Sequence, residues 1–147
     1  MIQKTFLVVI AASIALVGIA VAHSKVKKSN PKDGEIVKVM PKTVKLEFDE
    51  GLVTQFSTFK IYKLTTKSKD SEKLESEAEA LAAKLTMKKG DENARADTGF
   101  KGEGSETTKI SVNLKTGLKP GVYVVMWRLL GTDTHAVSGN LWFQYKP

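Results

Sequence analysis

The stretch "TVKLEFD", residues 43–49, decides how the chain is expected to fold. Its apolar residues Val44, Leu46 and Phe48 alternate with a lysine and a glutamate. A period of two is typical of a β-strand that buries one face and leaves the other in water. A helix would instead place its apolar residues three and four positions apart. The stretch therefore predicts a half-buried strand.

The same alternation recurs further along the chain. In residues 57–64, "STFKIYKL", Phe59 and Ile61 fall on one face. Three later segments have a similar strand-like composition: residues 109–114, 122–130 and 140–145. Turn sequences rich in glycine and proline, such as "TGLKPG" and "GTDTHAVSG", separate them. Short strands divided by such turns, without helices alternating with strands, predict an all-β sandwich.

One segment has a different period. Residues 70–89, "DSEKLESEAEALAAKLTMKK", are rich in helix formers. Their apolar residues form one stripe at helical spacing, namely Leu74, Ala78, Leu81 and Leu85. Asp70 or Ser71 can cap the start of this helix. Residues 91–106 are polar and rich in glycine, and we predict a loop there. We therefore interpret residues 66–107 as an insertion between two strands, and not as a second domain.

The first 22 residues have the pattern of a secretory signal peptide. Lys4 precedes an apolar run, residues 6–22, that contains no ionisable side chain and ends in the sequence Ala-Val-Ala. A positive start, an apolar stretch and an A-x-A sequence together are typical of signal peptides. The run also has about the length of a membrane-spanning helix, roughly 17–25 residues, so an uncleaved anchor is the alternative. The A-x-A sequence favours cleavage, which predicts a periplasmic or otherwise exported domain of residues 23–147.

Composition excludes several classes of site. The chain has no cysteine, which excludes disulfides, thiolate metal ligands and cysteine nucleophiles. It carries a net charge of +7. Its early lysines are spread among polar and turn residues: Lys25, Lys27, Lys28, Lys32 and Lys38. They are not interleaved with aromatic residues as in a surface that binds single-stranded nucleic acid. We therefore expect no nucleic-acid partner.

The chain has two histidines, and one of them has an acid close by. Asp133 and His135 stand two residues apart in "GTDTHAVSG". In an extended chain, residues i and i+2 point to the same face, so a carboxylate and an imidazole are presented side by side. Such a pair suits a metal site or an acid–base pair. A histidine near a turn with only a structural or surface role is the alternative.

The other histidine, His23, directly follows the predicted cleavage site. As an N-terminal residue it offers the α-amine and ring Nδ1, which can close a chelate around a metal. The pKa of a free α-amine is roughly 8, so a metal can displace its proton at neutral pH. Together with His135 and Asp133, the donors are three nitrogens and one oxygen. This set suits Cu(II) in a tetragonal arrangement. Zinc, which prefers a tetrahedral one, is the competitor.

These features occur together in one known family. The chain resembles the CopC family of exported copper-binding, copper-resistance proteins, whose members begin with histidine directly after the signal peptide. The family pattern "P-x-x-V-x-L-x-F-x-E" matches Pro41, Val44, Leu46, Phe48 and Glu50. The patterns "L-x-x-G-x-Y-x-V-x-W-R" and "D-x-H-x-x-x-G-x-x-x-F" match Leu118, Gly121, Tyr123, Val125, Trp127, Arg128, Asp133, His135, Gly139 and Phe143. The similarity covers residues 23–65 and about 108–147.

The resemblance implies a seven-stranded, Ig-like Greek-key β-sandwich or barrel with one Cu(II) site. It assigns the copper ligands to the amine and imidazole of His23, to Asp133 and to His135. Glu50 is a candidate for an additional oxygen ligand or an outer-sphere partner, and an exposed acid without a metal role is the alternative. Some relatives also have a methionine-rich Cu(I) site. Here Met40, Met87 and Met126 are scattered along the chain, so we expect no such site.

Three functions are compatible with these residues. The first is a copper carrier without enzymatic activity that binds one Cu(II) for resistance, sequestration or delivery. Its partners would be the copper ion and a membrane copper transporter or another copper carrier, and we expect a monomer. The second is a copper monooxygenase that oxidises polysaccharides with an N-terminal histidine brace. Asp133 beside His135 argues against it, because an equatorial carboxylate discourages oxygen activation. The third is a metal-free Ig-like structural domain.

Overall fold

The computed structural model describes residues 25–147, so the predicted signal peptide and His23 lie outside the described residues. Two four-stranded sheets face each other, and one helix lies between the fourth and fifth strands in the chain. The elements in chain order are β1 (Val26–Asn30), β2 (Glu35–Val37), β3 (Thr43–Val53), a 3-10 turn (Thr54–Phe56), β4 (Thr58–Leu64), α1 (Ser71–Leu85), β5 (Asp97–Gly102), β6 (Glu106–Leu114), β7 (Gly121–Leu130) and β8 (Ala136–Tyr145). The predicted all-β sandwich is confirmed. The three-residue β2 brings the strands in this part of the chain to eight, against the seven that the resemblance implies.

The first sheet has the strand order β1-β3-β6-β5, and the second has the order β2-β8-β7-β4. Neighbouring strands are antiparallel except β2 and β8, which run parallel. The main core lies between the sheets. On β3, Val44, Leu46 and Phe48 point into it and are each at most 2% exposed. The alternation read from residues 43–49 is therefore confirmed.

Strand β7 is buried on both faces. Every residue from Val122 to Trp127 is buried, and the side chains alternate between two cores. Tyr123 and Val125 belong to the core between the sheets, whereas Val124 and Met126 belong to a second core on the outer face of the second sheet. A strand covered on both sides needs no polar alternation, which explains the continuous apolar run in this part of the sequence.

Helix α1 supplies the other half of that second core. Asp70 caps the helix, since its side chain accepts a hydrogen bond from the backbone N–H of Lys73 at 2.9 Å. Leu74, Ala78 and Ala82 are buried against the sheet. The predicted helix is thus confirmed as a helix packed on the surface of the sandwich. Within residues 25–147, no helix has the length and apolar character needed to cross a bilayer.

The prediction of a loop over residues 91–106 was wrong, because Asp97–Gly102 form the edge strand β5. Phe100 lies opposite Val112 of β6 and packs against Phe59, with ring centroids 4.9 Å apart. The segment is rich in glycine and polar residues, so its composition does not predict a strand. Phe100 is the one large apolar residue of β5. Its start is bonded to β4, since the backbone N–H of Ala96 donates to the carbonyl of Ile61 at 2.7 Å.

A buried ionic cluster fixes the chain after the helix. Lys60 Nζ lies 2.7 Å from Asp91 Oδ2, and the two side chains are only 5% and 2% exposed. The Tyr62 hydroxyl also donates to Asp91, and Lys60 Nζ donates to the carbonyls of Leu85 and Lys88. Burial alone would raise the pKa of Asp91, but the hydrogen bonds from Lys60 and Tyr62 and the nearby positive charges lower it. Burial and the contact with Asp91 raise the pKa of Tyr62 above its ordinary range.

Candidate metal centre

Asp133 and His135 lie in the tight turn that joins β7 to β8. The backbone N–H of Gly131 donates to the carbonyl of His135 at 2.8 Å, and that of Thr134 donates to the carbonyl of Gly131 at 2.9 Å. Thr134 has a φ of 75°, in the left-handed region. The expectation that an extended chain brings the two side chains together was therefore wrong. A turn closes the gap instead, because residues 131–135 reverse the chain between paired strands.

The two side chains contact each other through both oxygens of the carboxylate. The backbone N–H of His135 donates to Asp133 Oδ1 at 3.1 Å, and ring Nδ1 of His135 lies 3.1 Å from Asp133 Oδ2. An ionised carboxylate only accepts hydrogen bonds, so Nδ1 carries the proton and Nε2 keeps its lone pair. The backbone and ring hydrogen bonds from His135 lower the pKa of Asp133 below its ordinary range. The carboxylate is thus an anion that orients the imidazole, an arrangement common behind metal-binding histidines.

Both side chains are open to solvent. The side chain of His135 is 74% exposed and that of Asp133 is 43% exposed. Gly131 makes room for the carboxylate, since a Cβ at this position would lie 2.6 Å from Asp133 Oδ1. The pair is consequently preorganised by local backbone geometry and accessible to an ion from bulk water.

Below the turn, a close contact joins β7 to β8. Gly139 lies opposite Trp127, and a Cβ on the glycine would come within 2.7 Å of the indole ring. Trp127 is 5% exposed and meets Phe48 edge-on, with ring centroids 5.7 Å apart. The base of the hairpin is therefore anchored in the core.

Strand β3 holds the turn from the side. The backbone N–H of Thr132 donates to the carbonyl of Gly51 at 3.0 Å, and Leu52 forms a β-bridge with Gly131. The pairing of β3 with β6 is irregular between Glu47 and Leu52, so this part of β3 bonds to the turn instead. Glu50 is exposed and directly precedes the residue that binds the turn. Of the predicted site residues, Asp133 and His135 are in contact, and Glu50 lies on the neighbouring segment.

The start of β1 is bonded to the same segment of β3. The backbone N–H of Lys25 donates to Asp49 Oδ1 at 2.7 Å, and the backbone N–H of Asp49 donates to the carbonyl of Lys25 at 3.0 Å. The start of the described chain is thus bonded to Asp49, and the turn that carries His135 is bonded to Gly51, two residues further along β3. Sequence reasoning missed both contacts. Asp49 looked like one more polar position of an alternating strand, and nothing in the pattern marks the irregular pairing that frees its side chain.

The other potential ligands are dispersed. Within residues 25–147, no three His, Cys, Asp or Glu side chains come together as a metal site. Met126 is fully buried in the core under the helix, Met87 is 57% exposed after the helix, and Met40 packs against the core between the sheets. The candidate centre in this part of the chain is therefore the pair Asp133 and His135.

A groove of about 560 Å³ lies between β1 and β8. Trp127 and Gly139 contribute to its lining, together with the lysines of β1 and the adjoining turns: Lys25, Lys27, Lys28 and Lys32. Lys27 Nζ lies 3.9 Å from Glu47 Oε1 in an exposed pair, which contributes little to stability. Lysines on an edge strand prevent pairing with a strand of another molecule.

The family model of the CopC domain matches residues 26–146, which is most of the chain. The chain belongs to the CopC family. CopC-family relatives named copper resistance protein C are similar over nearly their whole length. The protein from Pseudomonas syringae pv. tomato is 27% identical, with 98% of this chain and 97% of the relative covered. The protein from Xanthomonas campestris pv. juglandis is 30% identical, with 97% of this chain and 94% of the relative covered.

Solved CopC structures have the same fold. CopC from Methylosinus trichosporium OB3b matches with a TM-score of 0.60 at 24% identity, covering 85% of this chain and 95% of that chain. PcoC from Escherichia coli, a methionine-rich copper resistance protein, matches with a TM-score of 0.56 at 25% identity, covering 85% and 100%. The resemblance seen in the sequence is thereby confirmed. The relatives are copper resistance proteins and not enzymes, which confirms the prediction that this CopC protein is not an enzyme.

Proposed function

We propose that the protein is exported, loses residues 1–22, and binds one Cu(II) as a monomeric copper resistance protein. The ligands are the amine and imidazole of His23, the imidazole of His135 and the carboxylate of Asp133, with Glu50 as an additional oxygen ligand or an outer-sphere partner. The bound copper is sequestered, or delivered to a membrane copper transporter or another copper carrier.

The observation that carries this proposal is the exposed Asp133–His135 pair. Asp133 holds ring Nδ1 of His135 at 3.1 Å, which leaves Nε2 as the donor for a metal. A metal on Nε2 lies on the far side of the ring from Nδ1, so the Asp133 carboxylate has to turn away from Nδ1 to bind the same ion, and its partial exposure leaves room for this movement. An imidazole nitrogen and a carboxylate oxygen are among the ligands that Cu(II) accepts.

The path of the chain supports the contribution of His23. Only Ser24 separates His23 from Lys25, and two residues of extended chain span about 7 Å. Lys25 is bonded to Asp49, and the turn with His135 is bonded to Gly51, on the same strand. This short connection supports His23 as the source of the additional nitrogen donors.

The names of the relatives support copper as the ligand. The relatives at 27–30% identity are called copper resistance protein C, and the match extends over nearly the full length of both chains. The histidine-brace monooxygenase is set aside, because these relatives are resistance proteins and not enzymes. A metal-free Ig-like domain becomes one outcome of the test.

The test is a Cu(II) titration of the mature protein and two variants, His135→Ala and Asp133→Ala. We expect one Cu(II) per chain with a nitrogen-rich tetragonal EPR spectrum, and much weaker binding of Zn(II). His135→Ala removes an imidazole for which the mature chain has no replacement, so its affinity should fall furthest. Asp133→Ala should lose less, because water or Glu50 can supply an oxygen. Wild-type affinity in His135→Ala would refute the proposed site, and no copper binding by the wild type would favour the metal-free domain.

A further inference from the structure

We propose that Asp49 is a positioning residue for the copper site, acting through the backbone of Lys25. The proposal rests on the proposed function, because it concerns how the N-terminal ligand is brought to its partners. Asp49 contacts Lys25 twice, once with its carboxylate at 2.7 Å and once with its backbone N–H at 3.0 Å. No role in the site was expected for it from the sequence.

The register of β1 and β3 shows how the Asp49 carboxylate changes the hydrogen bonding of the backbone. Val26 lies opposite Phe48, which places Lys25 opposite Asp49. Two such residues in an antiparallel hydrogen-bonded pair exchange both backbone N–H···O bonds. Here the N–H of Asp49 makes its bond, but the N–H of Lys25 donates to the carboxylate instead of the backbone carbonyl. The side chain therefore ends the regular ladder at Lys25 and holds the backbone at the base of the N-terminal arm.

The other half of the candidate site is attached two residues further along β3. The carbonyl of Gly51 accepts a hydrogen bond from the backbone N–H of Thr132, next to Asp133. The segment 49–51 is therefore the common support for the N-terminal arm and for the turn that carries His135. Fixing the base of a two-residue arm lowers the conformational entropy lost when its amine and imidazole bind a metal. Support of this kind typically changes metal affinity by about 10–100-fold.

Asp49 is also an anion, and its charge alone would attract a cation. The variant Asp49→Asn separates the two effects, because the amide oxygen can still accept the N–H of Lys25 although the charge is gone. Asp49→Ala removes both the charge and the acceptor. Glu47→Ala is the matched control, because it removes another acid from the same strand. Within residues 25–147, the ion pair of Glu47 is the exposed one with Lys27.

The experiment measures Cu(II) affinity for the mature wild type, Asp49→Ala, Asp49→Asn and Glu47→Ala, and for Asp49→Ala combined with His135→Ala. We expect Asp49→Ala to weaken binding by about tenfold, and Asp49→Asn and Glu47→Ala to stay within about twofold. In the His135→Ala background the loss caused by Asp49→Ala should nearly vanish, because the arm no longer has to meet His135. Hydrogen exchange at the Lys25 amide of the metal-free protein should be fast in Asp49→Ala and slow in Asp49→Asn.

Three outcomes overturn the positioning role. Equal losses in Asp49→Asn and Asp49→Ala would assign the effect to charge, and equal losses with and without His135 would exclude alignment of the two ligands. Fast exchange at Lys25 combined with unchanged copper affinity would show that the contact exists but does not serve the site. In that last case the wild type still binds copper and His135→Ala still weakens it, so the proposed function stands while the role of Asp49 fails.

Discussion

The residues of the turn 131–135 contribute to the candidate site in different ways. Gly131 leaves space for the carboxylate of Asp133, Asp133 orients His135, and Thr134 provides the left-handed backbone that closes the turn. Only Asp133 and His135 carry the chemistry. Their spacing was recognisable in the sequence, but the turn that joins them depends on strand pairing on both sides.

Thr134 should be replaceable by glycine with a gain in stability. A β-branched residue at a φ of 75° is strained, and the left-handed conformation costs a non-glycine residue about 1–2 kcal/mol. Glycine adopts it freely but loses more entropy on folding, so Thr134→Gly should raise the free energy of unfolding by about 0.5–1 kcal/mol. Urea denaturation of the metal-free protein measures this. A loss of stability would mean that the Thr134 side chain makes a favourable contact which outweighs the strain.

Among the single elements, residues 43–49 alternate because one side of β3 faces the core and the other faces water. The alternation in residues 57–64 has another cause, since β4 is buried on both faces and its polar positions Lys60 and Tyr62 are bonded to Asp91. Strand β1 was missed because its five residues are mostly polar and lie at a sheet edge, where burial imposes little pattern. Strand β5 was missed because its pairing with β6, and not its own composition, makes it a strand.

Only part of the candidate site could be predicted from the sequence, for a similar reason. Local spacing identified Asp133 and His135, which need only their own turn to meet. The links through Asp49 and Gly51 join positions 24 and 81 residues apart in sequence, and they arise where the pairing of β3 becomes irregular. Periodicity carries no information about such contacts, since it reports burial and not hydrogen-bond partners.

Helix α1 should contribute to stability without affecting copper. Leu74 is 3% exposed in the core between the helix and the second sheet. Leu74→Ala should lower the free energy of unfolding by about 2–4 kcal/mol through lost burial and a cavity. The exposed Glu79→Ala is the control and should change it by less than about 0.5 kcal/mol. Cu(II) affinity, measured where both variants remain folded, should equal that of the wild type, and weaker binding by Leu74→Ala alone would show that the helix supports the site.

For the molecule as a whole, three layers are stacked: the first sheet, the second sheet and the helix. The second sheet belongs to both cores, with β7 at the centre of each. The candidate metal centre lies beyond the ends of these cores, on a turn held by β3. This separation allows the fold to stay intact when the ligands of the site are changed.

Acid should destabilise the helical layer through Asp91. The pKa of Asp91 is lowered in the folded protein from its ordinary 3.8, so its ionised form stabilises the fold above that pH. The contribution is lost as the pH falls through the folded pKa, which lies below 3.8. In Asp91→Asn the corresponding part of the acid dependence should be absent. Trp142 lies in the core under the helix, so its fluorescence during denaturation at several pH values reports the change. Identical pH profiles for wild type and Asp91→Asn would contradict this account.

We expect a free N-terminal His23 and the Asp133–His135 pair to bind one Cu(II) together. Titrating Cu(II) into two proteins, one that begins at His23 and one that begins at Ser24, measures what His23 contributes. The shorter protein keeps Asp133 and His135 but lacks the imidazole and amine of His23. The protein that begins at His23 should bind one Cu(II) far more tightly, and only its EPR spectrum should show the full set of nitrogen ligands. Equal affinity and identical spectra for the two proteins would refute this assignment of the ligands.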